Sequence, residues 1–283
     1  MAETAVRAPV DVTEDEPTAG GYDLLWRSGL LNVGSIARRE VGALFVSPIG
    51  WVIVTLFIPL VSVFGFLGPI AAEQQASMDN VFSILQFLML FAMPAFTMRV
   101  LAEERRAGTL EILLTSPVRD WELVAGKWLG VLICYIASIA FTLVYVVLLI
   151  ALVPDKADLH LFGTTLRIAD LDYGTIVTSY VGMLLLGATM SAVGLLASSL
   201  TQHQVVAFIA TFFVILVIWY VLGFVQALAQ PPVSLFLDYA SASNRFASFL
   251  RGEIVLKDVV YFASLTFGAL YIATGVLESR KWR

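Results

Sequence analysis

The 283-residue sequence is 59% hydrophobic and only 14% charged, with a mean hydropathy of +0.87. Soluble domains contain about 45–50% apolar and about 25% charged residues, so this composition predicts a membrane protein. The net charge of −5 is small and acidic, which gives no support to nucleic-acid binding. The single cysteine, Cys134, excludes an intrachain disulfide.

The first 23 residues differ from the rest of the chain. They contain six acidic residues, two prolines and no apolar run. They also lack the basic and apolar regions of a cleavable signal peptide. This composition predicts a disordered acidic tail over 1–23, with a docking element as the alternative. Residues 24–283 are predicted to form one transmembrane domain.

Runs without formally charged side chains predict the membrane spans, because a helix needs about 20 apolar residues to cross the bilayer. The run 173–237 contains 65 residues without a charge. One helix of that length would reach about 97 Å, so the run must break, and the polar segment 201–204 divides it. The sequence therefore predicts an all-α integral membrane protein with six spans, at 49–70, 80–101, 128–153, 173–200, 205–229 and 259–277.

Basic residues in the connections predict the orientation of the spans. With both termini in the cytoplasm, the cytoplasmic segments contain 12 Lys and Arg residues and the outside segments contain five. Leaving out Arg7 and Arg27, which lie far from any span, still gives ten against five. Cytoplasmic connections are enriched in Lys and Arg. The sequence thus predicts a multi-pass protein of the cytoplasmic membrane with both termini inside.

Several function classes find no supporting residues. No charged residue lies in the middle of a predicted span, where ion-coupled transporters usually keep one. His160 and His203 are the only histidines, and both lie in predicted connections, so no metal or catalytic site is predicted. The Gly126-Lys127 pair is followed by Trp128 and not by the Ser or Thr of a phosphate-binding loop. We expect neither enzymatic activity nor a bound cofactor, and any ATP-Mg would bind a partner subunit.

The longest predicted cytoplasmic connection, 102–122, has the pattern of two short helices joined by a bend. Gly108 can end the first helix at a low conformational free-energy cost, and Thr109 is a good N-cap for the second. The second helix has an apolar face and a proline stop, formed by Leu110, Leu113, Leu114 and Pro117. We interpret it as a rigid amphipathic helix that connects two spans. A surface helix that only rests at the interface is the alternative.

Two further segments flank the spans. Residues 36–45 predict an amphipathic helix in the headgroup plane, which either anchors the chain or contacts a cytoplasmic partner. The connection 230–257 contains two apolar patches, 233–237 and 246–250, each too short to span the bilayer. Short helices that cap an exit path would fit these patches, and so would an ordinary extracellular cap.

The fourth predicted span contains a stripe of small residues at spacings of four, three and four, namely Gly187, Ser191, Gly194 and Ser198. These spacings place the four residues on one helix face, where a neighbouring backbone can approach closely. We favour packing against another span of the same subunit over a dimer interface.

Several short motifs occur in an order and spacing that resemble type-2 ABC exporter permeases, most closely the gliding-motility-associated permease subfamily. The resemblance covers about residue 36 to the C-terminus. It departs from the family in the acidic tail and at Arg119, where the family often carries a helix-capping polar residue. The motifs are Arg39-Glu40 with Ser47-Pro48, 93–99, Ala102-Glu103-Glu104 followed by Gly108-Thr109-Leu110-Glu111, Gly126-Lys127, 194–201, Arg251-Gly252 with Asp258, and 277–282.

The resemblance implies a dimer, with a second copy or a sister permease, that carries two cytoplasmic ABC ATPase subunits. It also implies that the amphipathic helix after the second span is a coupling helix in contact with the ATPase. The coupling residues by this resemblance are Arg39, Glu40, Glu104, Arg105, Arg106, Gly108, Thr109, Leu110, Glu111, Leu113, Leu114 and Pro117. The extracellular gate residues are Phe246, Phe249, Arg251 and Gly252.

The function predicted from the sequence is therefore the permease subunit of an ATP-driven exporter, embedded in the lipid bilayer. A membrane channel or scaffold that works without an ATPase is the rival hypothesis. A P-loop subunit that co-purifies with the chain would separate the two. The transported substrate is not predicted, because relatives in this family move chemically different cargo.

Overall fold

The computed structural model describes residues 21–69, 75–76, 78–109, 118–152, 159–161, 164–168 and 173–279. Within these ranges, six helices are long and apolar enough to cross a membrane. They confirm the all-α membrane fold and the predicted number of spans. In chain order, spans one to six are Gly50–Leu67, Met78–Arg106, Asp120–Leu148, Tyr173–Leu200, Gln204–Leu228 and Leu256–Glu278.

Several spans consist of more than one helical element. Two π-helical segments, Val61–Leu67 and Val217–Val221, lie within the first and fifth spans. The α-helices are α1 (Gly21–Val46), α2 (Pro48–Leu60), α3 (Met78–Thr97), α4 (Ala102–Arg106), α5 (Asp120–Ala140), α6 (Leu143–Leu152), α7 (Tyr173–Leu200), α8 (Gln204–Leu216), α9 (Leu222–Leu228), α10 (Val233–Ala240), α11 (Ala242–Leu250) and α12 (Leu256–Glu278).

A small three-stranded sheet, which the sequence pattern did not predict, joins two connections at one end of the bundle. The strands are β1 (Gln75–Ala76), β2 (Leu159–Leu161) and β3 (Thr164–Ile168). The central strand β3 pairs parallel with β1 and antiparallel with β2. The sheet therefore links the connection between spans one and two to that between spans three and four.

Two spans begin three or more residues earlier than the charge-free runs predict. The third span begins at Asp120 and not at 128, and the sixth begins at Leu256 and not at 259. The reason is the same in both cases. Lys127 and Asp258 lie inside their helices, are buried, and form ion pairs with other elements. A buried, paired charge can lie within a span, whereas a solvated charge marks its end, so the predicted boundaries were too late.

The amphipathic helix before the first span is longer than predicted and packs along α5. It begins at Gly21, inside the predicted tail 1–23, of which 1–20 lie outside the described residues. Two glycines of α5 allow the close approach. A Cβ added at Gly126 would lie 2.7 Å from the Cβ of Ile36, and one added at Gly130 would lie 2.5 Å from the Cβ of Glu40. The helix thus packs against the bundle.

The small-residue stripe packs inside the subunit, as predicted. A Cβ added at Gly187 would lie 1.9 Å from the ring of Tyr135 in the third span. One added at Gly194 would lie 2.1 Å from Oγ1 of Thr97 in the second span. Because neighbouring side chains approach its backbone this closely, α7 is the most buried of the six spans. Of its 18-residue apolar stretch 67% is buried, against 18% and 22% for spans one and five.

The contact at Gly187 gives a prediction for stability. We expect Gly187→Ala to lower the free energy of unfolding by about 1–3 kcal/mol, because the added methyl group overpacks against a buried aromatic ring. Gly268→Ala in α12 is the matched control, since nothing lies within 4 Å of its added Cβ. In a helix that change is neutral or stabilising by up to about 1 kcal/mol. Thermal unfolding in detergent measures both, and equal melting temperatures would contradict the packing.

Candidate functional site

A cluster of polar side chains joins four helices at the end of the bundle opposite the sheet. We call it the elbow cluster and define it as Glu40 of α1, Glu104 and Arg105 of α4, Lys127 of α5 and Ser198 of α7. The cluster lies where the second span leaves the bundle and the third span returns. The connection between these spans is the one that the sequence singled out as a coupling helix.

Lys127 lies at the centre of the elbow cluster. Its Nζ is 3.2 Å from Oε2 of Glu40 and 2.8 Å from Oε1 of Glu104, and it donates a 2.8 Å hydrogen bond to the carbonyl of Val100. The Lys127 side chain is 3% exposed. An ammonium group has three N–H donors, so these three acceptors satisfy it completely. One buried cation therefore holds α1, α4 and the turn before α4 against α5.

Ser198 and Arg105 fix α4 to the end of α7. The backbone N–H groups of Leu101 and Ala102 donate to Oγ of Ser198 at 3.1 and 3.0 Å. Such N–H groups at a helix start have no partner within their own helix. The Ser198 hydroxyl therefore acts as a cap supplied by another span. Arg105 adds a 2.7 Å hydrogen bond from its guanidinium to the carbonyl of Ser199.

Arg99 connects the same turn to the break between α1 and α2. Its Nε lies 2.8 Å from Oε2 of Glu103, and Nη1 donates to Oγ of Ser47. Ser47 lies between α1, which ends at Val46, and α2, which begins at Pro48 and leads into the first span. The start of span one is thus bonded to the end of span two.

The start of α5 is held by a second set of hydrogen bonds. Oε2 of Glu122 accepts a 3.1 Å bond from Nδ2 of Asn32 and a 3.2 Å bond from the backbone N–H of Arg119. Arg119 is the N-cap residue of α5, and Glu122 reaches back to it as in a capping box. The departure from the family at Arg119 therefore leaves the helix start capped, and Asn32 ties it to α1.

The structure brings only some of the predicted coupling residues together. Glu40, Glu104 and Arg105 meet in the elbow cluster, whereas Arg39 and Arg106 are exposed on its surface. Gly108 and Thr109 follow α4, and five predicted residues lie outside the described ones, namely Leu110, Glu111, Leu113, Leu114 and Pro117.

The bend before that segment has the conformation that glycine favours. Gly108 has a φ of +69°, is exposed, and has no atom within 4 Å of an added Cβ. Oγ1 of Thr109 donates a 3.3 Å hydrogen bond back to the carbonyl of Glu104. The chain therefore bends at Gly108, directly after α4.

Lys127 is the functional candidate that the sequence pattern missed. The charge-free criterion placed it just outside the third span. Helical periodicity contains the missing signal, because Asp120, Val124, Lys127 and Val131 recur at intervals of four, three and four residues and are all buried. That pattern predicts a helix from Asp120 with Lys127 on its buried face.

Among the described residues, no group of three or more His, Cys, Asp or Glu side chains could hold a metal ion.

The predicted gate residues lie at the sheet end of the bundle, on the short helix α11 and in the turn that follows it. Phe246 and Phe249 of α11 are 1% and 0% exposed. Phe246 packs against Trp219 of the fifth span with ring centroids 5.7 Å apart, and the carbonyl of Phe249 accepts a 2.9 Å hydrogen bond from Thr178 of α7. Arg251 is exposed and follows α11, so it stands apart from the two buried rings.

Comparison with known proteins identifies relatives of the chain. A family model described as ABC-2 family transporter protein matches residues 34–273. The "Probable multidrug ABC transporter permease YbhR" of Escherichia coli (strain K12) is 28% identical over 178 residues, which cover 62% of this chain and 43% of that protein. The protein of the same description from Escherichia coli O157:H7 shows the same identity and coverage. The chain therefore spans less than half the length of these curated relatives.

The ion pairs of Lys127 predict a large effect on stability. We expect Lys127→Met to lower the free energy of unfolding by about 3–5 kcal/mol, because it leaves two partly buried carboxylates without their cation. The triple variant Lys127→Met/Glu40→Gln/Glu104→Gln should recover most of the loss, because no unpaired charge remains. Arg106→Met, at an exposed position, is the control. Thermal unfolding in detergent gives the comparison, and a triple variant no more stable than the single one would refute the pairing.

Proposed function

The chain belongs to the ABC-2 transporter protein family, and we propose that it is a permease subunit that couples to a separate ABC ATPase through the segment 110–117. The observation that carries the proposal is the position of Lys127. Its ion pairs and hydrogen bond immobilise the helices on both sides of that segment, namely α4 before it and α5 after it.

A coupling segment can transmit force to the spans only if the contacts that attach it to them are rigid. Here α4 is bonded to α7 through Ser198 and to α5 through Lys127, and α5 is bonded to α1 through Glu122 and Lys127. A push on the segment would therefore move the ends of spans two, three and four together. A helix that only rests at the interface has no need of such an anchor.

The energetic cost of the elbow cluster supports the same proposal. Removing an ammonium group and two carboxylates from water costs several kcal/mol per ion, and well-packed apolar residues are often as stable. Lys127 is 3% exposed, and Glu40 and Glu104 are 16% and 18% exposed. We hypothesise that these charges are retained because they specify one geometry for the junction. A fixed geometry is what docking to an ATPase requires.

The proposal includes two partners and a subfamily. The sequence has no phosphate-binding loop, so ATP-Mg is assigned to the ATPase subunit. Spans one and five expose apolar side chains on the outside of the bundle, where four residues are more than half exposed, namely Leu56, Phe64, Phe213 and Phe224. We propose that a second copy or a sister permease covers part of this surface. The lipid bilayer covers the rest. The motifs further suggest the gliding-motility-associated subfamily of exporter permeases, and the description of the E. coli relatives as probable multidrug ABC transporter permeases supports a role in transport.

The bend at Gly108 gives the test of coupling. We expect Gly108→Val to abolish co-purification of the ATPase, or to leave ATP hydrolysis without transport, because a β-branched residue resists a φ of +69° and redirects the segment. The change touches no packed atom, so membrane insertion should persist and the melting temperature should stay within a few degrees of wild type. The measurements are affinity co-purification with the neighbouring ATPase and ATP hydrolysis by the complex.

Gly275→Val is the matched control for this experiment. Gly275 is also exposed, lies in α12 away from the predicted coupling residues, and has nothing within 4 Å of an added Cβ. We expect it to bind the ATPase and to transport like wild type. A Gly108→Val protein that behaves like this control would assign the segment to a surface helix and would favour the channel or scaffold hypothesis.

The proposed orientation, with both termini in the cytoplasm, is tested by single cysteines in a Cys134→Ala background. Glu253 and Ala107 are both exposed, and they lie at opposite ends of the bundle. We expect Glu253→Cys to react with a membrane-impermeant maleimide in intact cells. Ala107→Cys should react only after the membrane is permeabilised. The reverse pattern would overturn the orientation and place the elbow cluster outside the cell.

A further inference from the structure

A polar depression lies between the short helices α10 and α11 and the ends of the fifth and sixth spans, at the sheet end of the bundle. Its polar lining includes Gln226, Asn244, Ser248, Arg251 and Lys257, with the ion pair of Arg245 and Asp258 at its base. We call it the outer depression. It differs from the elbow cluster, which lies at the opposite end, and from the buried phenylalanines predicted to form the gate.

The base of the outer depression is rigid and electrically neutral. Nη1 of Arg245 lies 3.1 Å from Oδ1 of Asp258, and the Ser248 hydroxyl donates to the other carboxylate oxygen. Asp258 is 0% and Arg245 is 7% exposed. The Arg245 guanidinium also lies 4.5 Å from the ring centroid of Tyr239. Because Arg245 and Asp258 neutralise each other, the base of the depression has no net charge with which to attract an ion.

The rim of the outer depression carries an excess of positive charge. Arg251 and Lys257 are exposed, and neither forms an ion pair with another residue in the part of the chain that the structure describes. The remaining acidic residue of the lining, Asp238, accepts a 2.8 Å hydrogen bond from Nδ2 of Asn244. Three cations and two carboxylates line the depression, which leaves one net positive charge.

The two rim cations are attached to fixed backbone. Arg251 stands in a tight turn closed by hydrogen bonds from its own N–H and from that of Glu253 to the carbonyl of Ser248, at 3.1 and 3.0 Å. Gly252 has a φ of +82°, and a Cβ added there would lie 2.9 Å from Oγ1 of Thr175 in α7. Lys257 lies in the first turn of α12, next to buried Asp258. The depression is therefore largely formed before any ligand binds.

Apolar side chains flank the rim cations along the chain. Ile254 and Leu256, which lie between Arg251 and Lys257 in the sequence, are 57% and 75% exposed. Exposed apolar side chains beside the end of a span mark a surface that lipid can cover. A ligand held by Arg251 and Lys257 would therefore extend an apolar part along these side chains into the lipid. This arrangement fits an amphiphile better than a fully soluble ion.

We propose that the outer depression binds the anionic phosphate-type headgroup of an amphiphile, with Arg251 and Lys257 as its charge contacts. A guanidinium forms paired hydrogen bonds with phosphate oxygens, and an ammonium supplies a compact charge beside it. The amides of Gln226 and Asn244 lie within the same lining, where they can bond uncharged parts of the headgroup. The inference rests on the proposed permease function and assigns a ligand class to its outer end.

Native mass spectrometry of the purified full-length chain tests the proposal. The chain is equilibrated at low salt with equal amounts of phosphatidylglycerol and phosphatidylcholine that have identical acyl chains. We expect wild type to retain the anionic lipid preferentially. Arg251→Gln/Lys257→Gln should reduce that preference about 5- to 25-fold, since each exposed charge contact contributes up to about 1 kcal/mol, or about a factor of five. Both side chains are exposed, so the variant should keep the fold.

Two control variants isolate the rim charges. The charge-conserving exchange Arg251→Lys/Lys257→Arg should keep most of the preference for phosphatidylglycerol. Glu253→Gln changes a charge in the same turn but outside the lining, and it should not reduce the preference. Excess inorganic phosphate is the third arm of the experiment. Complete competition by phosphate would identify a soluble phosphate compound as the ligand, whereas weak competition would identify a lipid headgroup.

The result is separable from the test of coupling. Lipid retention is measured on the chain itself and does not depend on the ATPase. A chain that assembles with the ATPase but shows no anionic preference, or keeps it in the Arg251→Gln/Lys257→Gln variant, overturns this inference alone. A chain that loses the preference in that variant but never binds an ATPase supports the site and overturns the proposed function.

Discussion

The buried ammonium group of Lys127 is the constraint on which the elbow end of the molecule depends. Glu40, Glu104 and the carbonyl of Val100 all converge on it. Because a charge without partners is costly in a low-dielectric interior, each of these groups must stay where it is. The close packing of α1 on α5 through Gly126 and Gly130 is the geometric condition that brings Glu40 within reach. Local glycine packing and long-range electrostatics thus require each other.

The central helix α7 is bonded to both candidate sites. Near its start, Thr178 donates to the carbonyl of Phe249 on the short helix α11, and near its end Ser198 caps α4. The two residues are 20 positions apart, which corresponds to about 30 Å of helix, roughly the hydrocarbon thickness. Small residues at the positions between allow spans two and three to pack directly on its backbone. α7 therefore places the outer and elbow ends in one packed body.

The sequence predicted those features that depend on composition and local pattern. Charge-free runs predicted the six spans, and the spacing of small residues predicted the packing face of α7. Gly108 predicted the bend after α4. Span starts were wrong where a charge is buried, because sequence alone does not show that Lys127 will meet Glu40, 87 residues away. The partner of Asp258 was missed for the same reason. The pairing of β1 with β3 also joins segments far apart in sequence, and β1, with two residues, is too short to have a strand pattern of its own.

The rigidity of the elbow and of α7 restricts where conformational change can occur. Close-packed interiors resist continuous deformation, so force applied at the segment 110–117 must be absorbed by less constrained elements. Spans one and five are the least buried of the six, and both contain a π-helical segment, Val61–Leu67 and Val217–Val221. Such segments interrupt the regular hydrogen-bond ladder and are frequent at functional sites. Trp219 in the second of them packs on Phe246, so a change of register there would move the short helix that borders the outer depression.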